Sequence, residues 1–184
     1  MLTTTLNEIL MHEPCGIDSG GKTGFSLLLK NLGKTVPDDE PLTVMQILES
    51  NGIEDAVWSL QCFDYRDYCL FLADVAESVL HIYEAEYDNP APRLAIQGIR
   101  DYHSGKITKK ELIKLSDSAR AAARTTAAST AAAYAADAAY AAVDGDGYSV
   151  VDAAEANARA AASETARAKK WQEIEELFIK HFGD

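Results

Sequence analysis

Basic residues are nearly absent from the middle of this 184-residue chain. Between Asp38 and Asp88 the sequence has thirteen carboxylates and a single basic residue, Arg66, whereas acidic and basic residues balance over the rest of the chain. We call residues 38–88 the acidic band. A surface of one charge sign repels molecules of the same sign. The shortage of bases therefore excludes nucleic acid and anionic membranes as direct partners of the band and favours a basic protein.

Long apolar runs are also absent, which excludes a membrane-spanning helix. Met1 to Met11 has neither the basic start nor the apolar stretch of a secretory signal. Cysteine is scarce, and Cys15, Cys62 and Cys69 form an odd set without the spacing of a disulfide framework, which indicates reduced thiols. These absences together predict a cytoplasmic protein.

The alternation of apolar and polar residues that marks a half-buried strand is missing over any useful length, so the predicted fold class is all-α. We predict a compact acidic helical domain over residues 1–107. An Ala-rich antiparallel helical hairpin over residues 108–184 follows and packs with it as one structural unit. About half of residues 119–168 are alanine, the strongest helix former. A break at residues 144–147 separates the arms, and the second arm is expected over residues 149–182.

The clearest single helix is predicted over residues 64–87. At about 100° per residue, its carboxylates Asp67, Asp74, Glu77 and Glu84 fall on one side. The opposite side is apolar and is predicted to face the core: Tyr68, Leu72, Val75, Ala76, Val79 and Tyr83. This pattern predicts an amphipathic helix with a stripe of carboxylates.

Other helix boundaries follow from local signals. Thr3 to Met11 and Leu42 to Ser50 read as short helices, and Gly33 is placed to end a helix in the left-handed conformation. Thr108 and Glu111 have the spacing of a capping box, which predicts that a helix begins at this point.

One segment matches a phosphate-binding pattern. Residues 16–23 follow G-x-x-x-x-G-K-T letter for letter. That pattern binds phosphate when a buried strand delivers the loop to a helix N-terminus, and the residues before it are helix-like and interrupted by Pro14. A flexible glycine loop is the better interpretation, and a nucleotide site using Lys22 and Thr23 is the alternative.

Two candidate metal patterns are weaker. Asp144, Asp146, Asp152 and Glu155 occupy positions 1, 3, 9 and 12 of a calcium loop, but Ser149 stands where the loop needs glycine, which favours a turn between helices.

Zinc could in principle be bound by His12 with Cys15, Cys62 and Cys69, but these spacings match no common zinc site. His81, His103 and His181 are isolated from any nucleophile or acid pattern. We predict no metal, no cofactor and no catalytic residue, and therefore no enzyme.

Several segments resemble known families. Residues 32–35, 38–42, 47–52 and 55–60 resemble segments of small phage and prophage proteins. A second set resembles the family labelled putative immunity proteins, namely Phe71-Leu72-Ala73-Asp74-Val75-Ala76-Glu77, Pro92-Arg93-Leu94-Ala95-Ile96 and the Ala/Tyr/Arg tract of residues 119–168. The resemblance implies a compact helical region with an Ala-rich helical tail. It also implies a protein that binds and blocks another protein, and it supplies no catalytic residues.

The leading hypothesis is a non-enzymatic inhibitor whose acidic band docks on a basic protein that handles nucleic acid. In the favoured setting it is a phage product, cytoplasmic in the bacterial host, that blocks a nuclease-type defence such as a CRISPR effector or a restriction enzyme. The first alternative is an immunity protein that neutralises a toxin. The second is a structural protein that dimerises through its Ala-rich helices.

The predicted partner-binding residues are carboxylates that we expect to face outward and to lack cations from their own chain. A solvated helix face is the alternative for each of them. They are Asp38, Asp39, Glu40, Glu54, Asp55, Asp64, Asp67, Asp74, Glu77 and Glu84. The large apolar residues predicted to be core rather than contact are Trp58, Tyr68, Phe71, Leu72 and Trp171.

Overall fold

The structure is a computed structural model that describes residues 2–14, 24–125, 140, 142–143 and 164–183. Helices dominate it, and the predicted all-α class is confirmed. The helices are α1 (Leu6–Met11), α2 (Gly24–Asn31), α3 (Val44–Asn51), α4 (Ile53–Ser59), α5 (Tyr65–Glu84), α6 (Ala91–His103), α7 (Lys109–Thr125) and α8 (Glu164–Phe182). The remaining elements are a 3-10 turn (Leu60–Cys62) and two short strands, β1 (Thr3–Thr4) and β2 (Leu42–Thr43).

Several sequence predictions fall outside the described residues. They are the phosphate-loop pattern at residues 16–23, the calcium register at residues 144–155, and the turn of the Ala-rich hairpin. The hairpin and the domain division at residue 107 stay predictions. The described ends of the two arms, α7 and α8, are helical.

The two short strands correct two predicted helix starts. Thr3–Thr4 pairs antiparallel with Leu42–Thr43, so neither segment begins a helix at its first residue. The helices start at Leu6 and Val44 instead. The hydroxyls of Thr5 and Thr43 each accept a hydrogen bond from the backbone N–H three residues later, which satisfies a donor that the first helical turn leaves free.

Helix α5 lies at the centre of the fold. Its predicted apolar face is buried at every position, and Asp67, Asp74, Glu77 and Glu84 lie on the other side at least partly exposed. Helices α6 and α8 both pack on α5, and α7 packs on α6. The pairing of α6 with α7 follows from the short turn between them, where the capping box of Thr108 and Glu111 is present as predicted.

Helix α8 closes the core from the far end of the chain. The ring of Phe178 meets that of Phe71 edge to face at 5.5 Å between centroids, and Phe182 lies 4.7 Å from Phe178. Ile174 is buried beside them. The described part of the second Ala-rich arm therefore packs on α3, α4 and α5 of its own chain.

The predicted core residues are buried to different extents. Tyr68, Phe71 and Leu72 are fully buried, whereas Trp58 and Trp171 are only partly covered. The backbone at Gly33 has a φ of 69°, which confirms the predicted left-handed terminator after α2. None of the helices in the described ranges combines the length and apolarity that a membrane span requires.

Candidate functional site

The carboxylate stripe of α5 faces two arginines of α6. Glu84 accepts two hydrogen bonds from Arg93, at 2.5 Å from Nε and 2.6 Å from Nη2. Glu77 accepts one from Arg100 at 2.6 Å and lies 3.8 Å from Arg93. A bidentate arginine–carboxylate pair fixes orientation as well as charge. These pairs therefore align α6 along α5.

Asp74 is the most connected carboxylate of the stripe. Its Oδ1 accepts from Arg100 at 2.8 Å, and its Oδ2 lies 3.2 Å from Lys180 Nζ and 3.0 Å from His181 Nε2. Partial burial alone would raise the pKa of this carboxyl. The hydrogen bonds from Arg100, His181 and Lys180 outweigh that effect, and the pKa of Asp74 is lowered overall. Asp74 thus ties α5 to both α6 and α8.

A second ion cluster lies in the loop before β2. Lys34 Nζ is 2.6 Å from Asp38 Oδ2 and 2.7 Å from Glu40 Oε2. The hydrogen bond from Lys34 holds the pKa of Asp38 below its usual value. One lysine therefore serves both carboxylates of this loop.

The expectation that the predicted partner-binding carboxylates lack cations from their own chain is wrong for half of the set. These are Asp38, Glu40, Asp74, Glu77 and Glu84. The cations come from residues that flank the acidic band in sequence and reach it only through helix packing. The excess of acidic residues in the acidic band is therefore partly neutralised in the folded chain.

The other half of the set has no ion pair with any residue that the structure describes: Asp39, Glu54, Asp55, Asp64 and Asp67. All but Asp55 are exposed. Glu54 and Asp55 stand in the first turn of α4, and Asp67 stands in that of α5. A carboxylate at a helix N-terminus is stabilised by the helix dipole, by about 0.3–1 kcal/mol. Helix dipoles therefore help to hold these charges without a basic partner.

Asp55 is the one member of this half that is held from several sides. It is half-buried and accepts a hydrogen bond from Asn51 Nδ2 at 2.7 Å. Its carboxylate also lies so close to Gly24 at the start of α2 that a Cβ there would overlap it. Asn51 donates to the carbonyl of Gly24 as well, at 2.6 Å. Asp55 and Asn51 together join α4 and α3 to the beginning of α2.

A cavity of about 180 Å³ opens beside these residues. Its walls come from α1 to α4, and Glu54 and Asp55 line it together with Trp58. The remaining wall is mainly apolar: Ile9, Pro14, Phe25, Leu28 and Ile47. The cavity combines an apolar lining with two carboxylates that have no cation among the described residues. We call it the Trp58 cavity.

Cys62 and Cys69 are free cysteines in partly and fully buried surroundings, respectively. Burial raises the pKa values of Cys62 and Cys69 to about 11, so both remain thiols. Cys69 Sγ lies 3.6 Å from Nδ1 of His103. Across the described ranges, no three histidine, cysteine or acidic side chains are grouped to hold a metal ion. Cys15 lies outside those ranges.

The ion pairs between α5 and α6 were not predicted above, although the sequence carries a signal for them. Arg93 and Arg100 are seven residues apart on α6, and Glu77 and Glu84 are seven apart on α5. Residues seven apart lie on one face of a helix, so the two pairs predict matched charged faces on adjacent helices. The Trp58 cavity left no comparable signal, because its lining comes from four separate elements.

Comparison with known proteins gives one match. Residues 60–176 match the family described as Imm-5 like putative immunity protein. The match includes α5, α6 and α7, whereas the Trp58 cavity is built from residues that precede it. No curated protein and no solved structure matches the chain. Because the family model covers well over half of the sequence, the chain belongs to the Imm-5 like family of putative immunity proteins.

Proposed function

We propose that this protein is an immunity protein that neutralises a toxin by binding it, without catalysing a reaction. One observation carries the proposal beyond family membership. Glu54, Asp64 and Asp67 are exposed and have no ion pair among the described residues. The carboxylates in the middle and at the end of α5 are instead bound to cations of their own chain. The free charges are the part of the acidic band that supports a docking role.

The partner that fits these carboxylates is a basic protein. Complementary charge accelerates association and suppresses wrong partners more than it adds affinity. A toxin with a basic, nucleic-acid-binding surface has that complementarity, and the bound immunity protein would cover the surface that its substrate needs. Because a toxin and its immunity protein must meet where the toxin acts, we place both in the bacterial cytoplasm.

Family membership favours toxin neutralisation over the phage setting predicted from the sequence. A phage product that blocks a CRISPR effector or a restriction enzyme would use the same charges, so the two settings differ only in the partner. A homodimer through the Ala-rich helices also stays a prediction, because most of that tract lies outside the described residues.

The proposal is tested by capturing partners from bacterial lysates on the immobilised chain and identifying them by mass spectrometry. The captured protein is then purified, its toxicity is measured with and without this chain, and binding is measured across a salt series. We expect a basic toxin whose growth inhibition is relieved and whose binding weakens as salt screens the charges. Capture of a defence nuclease instead would contradict toxin neutralisation and favour the phage setting.

Matched charge variants test the role of the free carboxylates. The triple variant Glu54→Gln, Asp64→Asn, Asp67→Asn should bind the toxin at least about tenfold more weakly, with association slowed most. A control triple variant removes the same charge from exposed carboxylates elsewhere that have no ion pair within the described part of the chain: Glu8→Gln, Asp117→Asn and Glu176→Gln. Equal weakening by both triple variants, with helix content unchanged in both, would contradict a docking role for this surface.

A further inference from the structure

The Trp58 cavity has two kinds of wall, one apolar and one acidic. Side chains from α1, α2 and α3 make its apolar sides, among them Ile9, Phe25, Leu28 and Ile47. Trp58 of α4 lines it and is only partly covered by the rest of the chain. A half-open apolar cavity lined by a partly exposed aromatic residue is the form of pocket that receives an anchor side chain at protein interfaces.

The polar groups of the cavity are acidic. Glu54 is exposed and has no ion pair with the described residues. Among those same residues, Asp55 accepts a hydrogen bond from the neutral amide of Asn51 and lies against the start of α2. The clusters around Lys34 and around Arg93 and Arg100 already contain a cation. Among the clusters formed by the described residues, the cavity is thus the place where carboxylates meet apolar surface and a cation is missing.

We propose that the Trp58 cavity binds an arginine side chain presented by the partner protein. The aliphatic stem of the arginine would pack on the apolar walls, and its guanidinium would pair with Glu54 and Asp55. Arginine fits better than lysine because its planar, weakly hydrated guanidinium both stacks on aromatic rings and pairs with carboxylates through several N–H donors. The inference rests on the proposed function for the identity of the partner, but not for the chemistry of the cavity.

Other occupants fit less well. A purely apolar side chain would contact the apolar walls but leave Glu54 and Asp55 without a cation, at a desolvation cost. An acidic side chain would be repelled. An arginine side chain contacts the apolar walls with its stem and the carboxylates with its guanidinium, and for this reason it is the occupant that fits.

The test needs no toxin. The whole chain, labelled with ¹⁵N, is titrated with Nα-acetyl-arginine amide while the indole N–H signal of Trp58 is followed. Trp171, the other tryptophan of the chain, is not a lining residue and serves as an internal reference. We expect a saturable shift of Trp58 alone. The neutral, nearly isosteric Nα-acetyl-citrulline amide should bind about five- to tenfold more weakly, because it lacks the charge that pairs with the carboxylates. Equal binding of the two compounds, or no shift, would overturn the proposal.

Two variants locate the site. Glu54→Gln should weaken the arginine compound about fivefold, whereas Glu49→Gln, at an exposed position on α3, should leave binding unchanged. An equal effect of both variants would contradict a specific pocket. The variant Lys22→Ala tests whether a lysine of this chain occupies the cavity. If this substitution shifts the Trp58 signal without added compound and also strengthens binding of the compound, Lys22 is the occupant and the proposal is wrong. If the chain binds a toxin but not the arginine compound, the assignment of the cavity is wrong and the proposed function stands. If it binds the arginine compound but no toxin, the assignment of the toxin as partner is wrong and the cavity assignment stands.

Discussion

Nε2 of His181 lies 3.0 Å from Oδ2 of Asp74, although 107 residues separate them in sequence. Lys180 reaches the same oxygen, and Arg100 donates to the other one. A single half-buried carboxylate of α5 therefore collects cations from both helices that pack on it. The acidic band is therefore neutralised along the part of α5 on which α6 and α8 pack, whereas Asp67 near the start of α5 has no ion pair among the described residues.

Replacing Asp74 with asparagine should lower the free energy of unfolding by about 1 kcal/mol, a figure that allows for solvent screening of a partly exposed group. The variant keeps the size of the side chain but leaves Arg100 and Lys180 without their shared charge. Urea unfolding at neutral pH measures the loss. Asp67→Asn, on the same helix and without an ion pair among the described residues, should change stability by less than about 0.5 kcal/mol. A similar loss in the two variants would argue against the role assigned to Asp74.

Acid should remove the same contribution. The pKa of Asp74 is lower in the folded chain than its ordinary value. Its ionised form therefore stabilises the fold above about pH 4, and this stability is lost as pH falls through the lower, folded-state pKa. Between about pH 5 and pH 2, the urea midpoint of the wild type should fall further than that of Asp74→Asn. Parallel pH profiles of the two proteins would show that Asp74 does not carry the effect.

Phe178→Ala should cost about 3–5 kcal/mol, because this side chain is fully buried and its removal leaves a cavity beside Phe71. Ile179→Ala is the matched control, since Ile179 follows Phe178 on α8 and is 46% exposed. The control should stay within about 0.5 kcal/mol of the wild type. Thermal or urea unfolding of both variants checks the prediction, and a small loss for Phe178→Ala would mean that α8 does not complete the core.

Gly24→Ala should destabilise the chain by about 1 kcal/mol or more, because the added Cβ would overlap the carboxylate of Asp55. The same substitution in an Asp55→Ala background should cost clearly less, since the side chain that it meets is gone. This double-mutant cycle isolates the contact between the two positions. Additive losses in the cycle would show that the contact at the start of α2 is unimportant.

Local sequence rules predicted the helices well where the signal lies within one helix. The apolar face of α5 and the capping box of Thr108 are present because each depends on residues a few positions apart. The predicted helix start at Thr3 was wrong because Thr3–Thr4 pairs with residues 42–43, far along the chain. No local rule contains that pairing.

The candidate site shows the same division. The sequence placed Asp74, Glu77 and Glu84 on the correct side of α5, and the equal spacing of Arg93 and Arg100 is a signal for two of the cations. The sequence has no such signal for Lys180, and no local rule shows that the three cations reach these carboxylates. Those contacts depend on how α6 and α8 pack. Trp58 packs against the core, as predicted, but it is only partly buried and also lines a cavity whose other walls come from three other helices.

Helix α8 has a consequence for how the chain is made. Ile174, Phe178 and Phe182 complete a core that begins with residues near the start of the chain. A ribosome adds roughly 5–20 residues per second. These three residues are therefore synthesised several seconds after α5. During that interval the ring of Phe71 has no Phe178 to pack against. A nascent chain stalled before residue 174 would expose apolar surface, which chaperones and proteases would recognise.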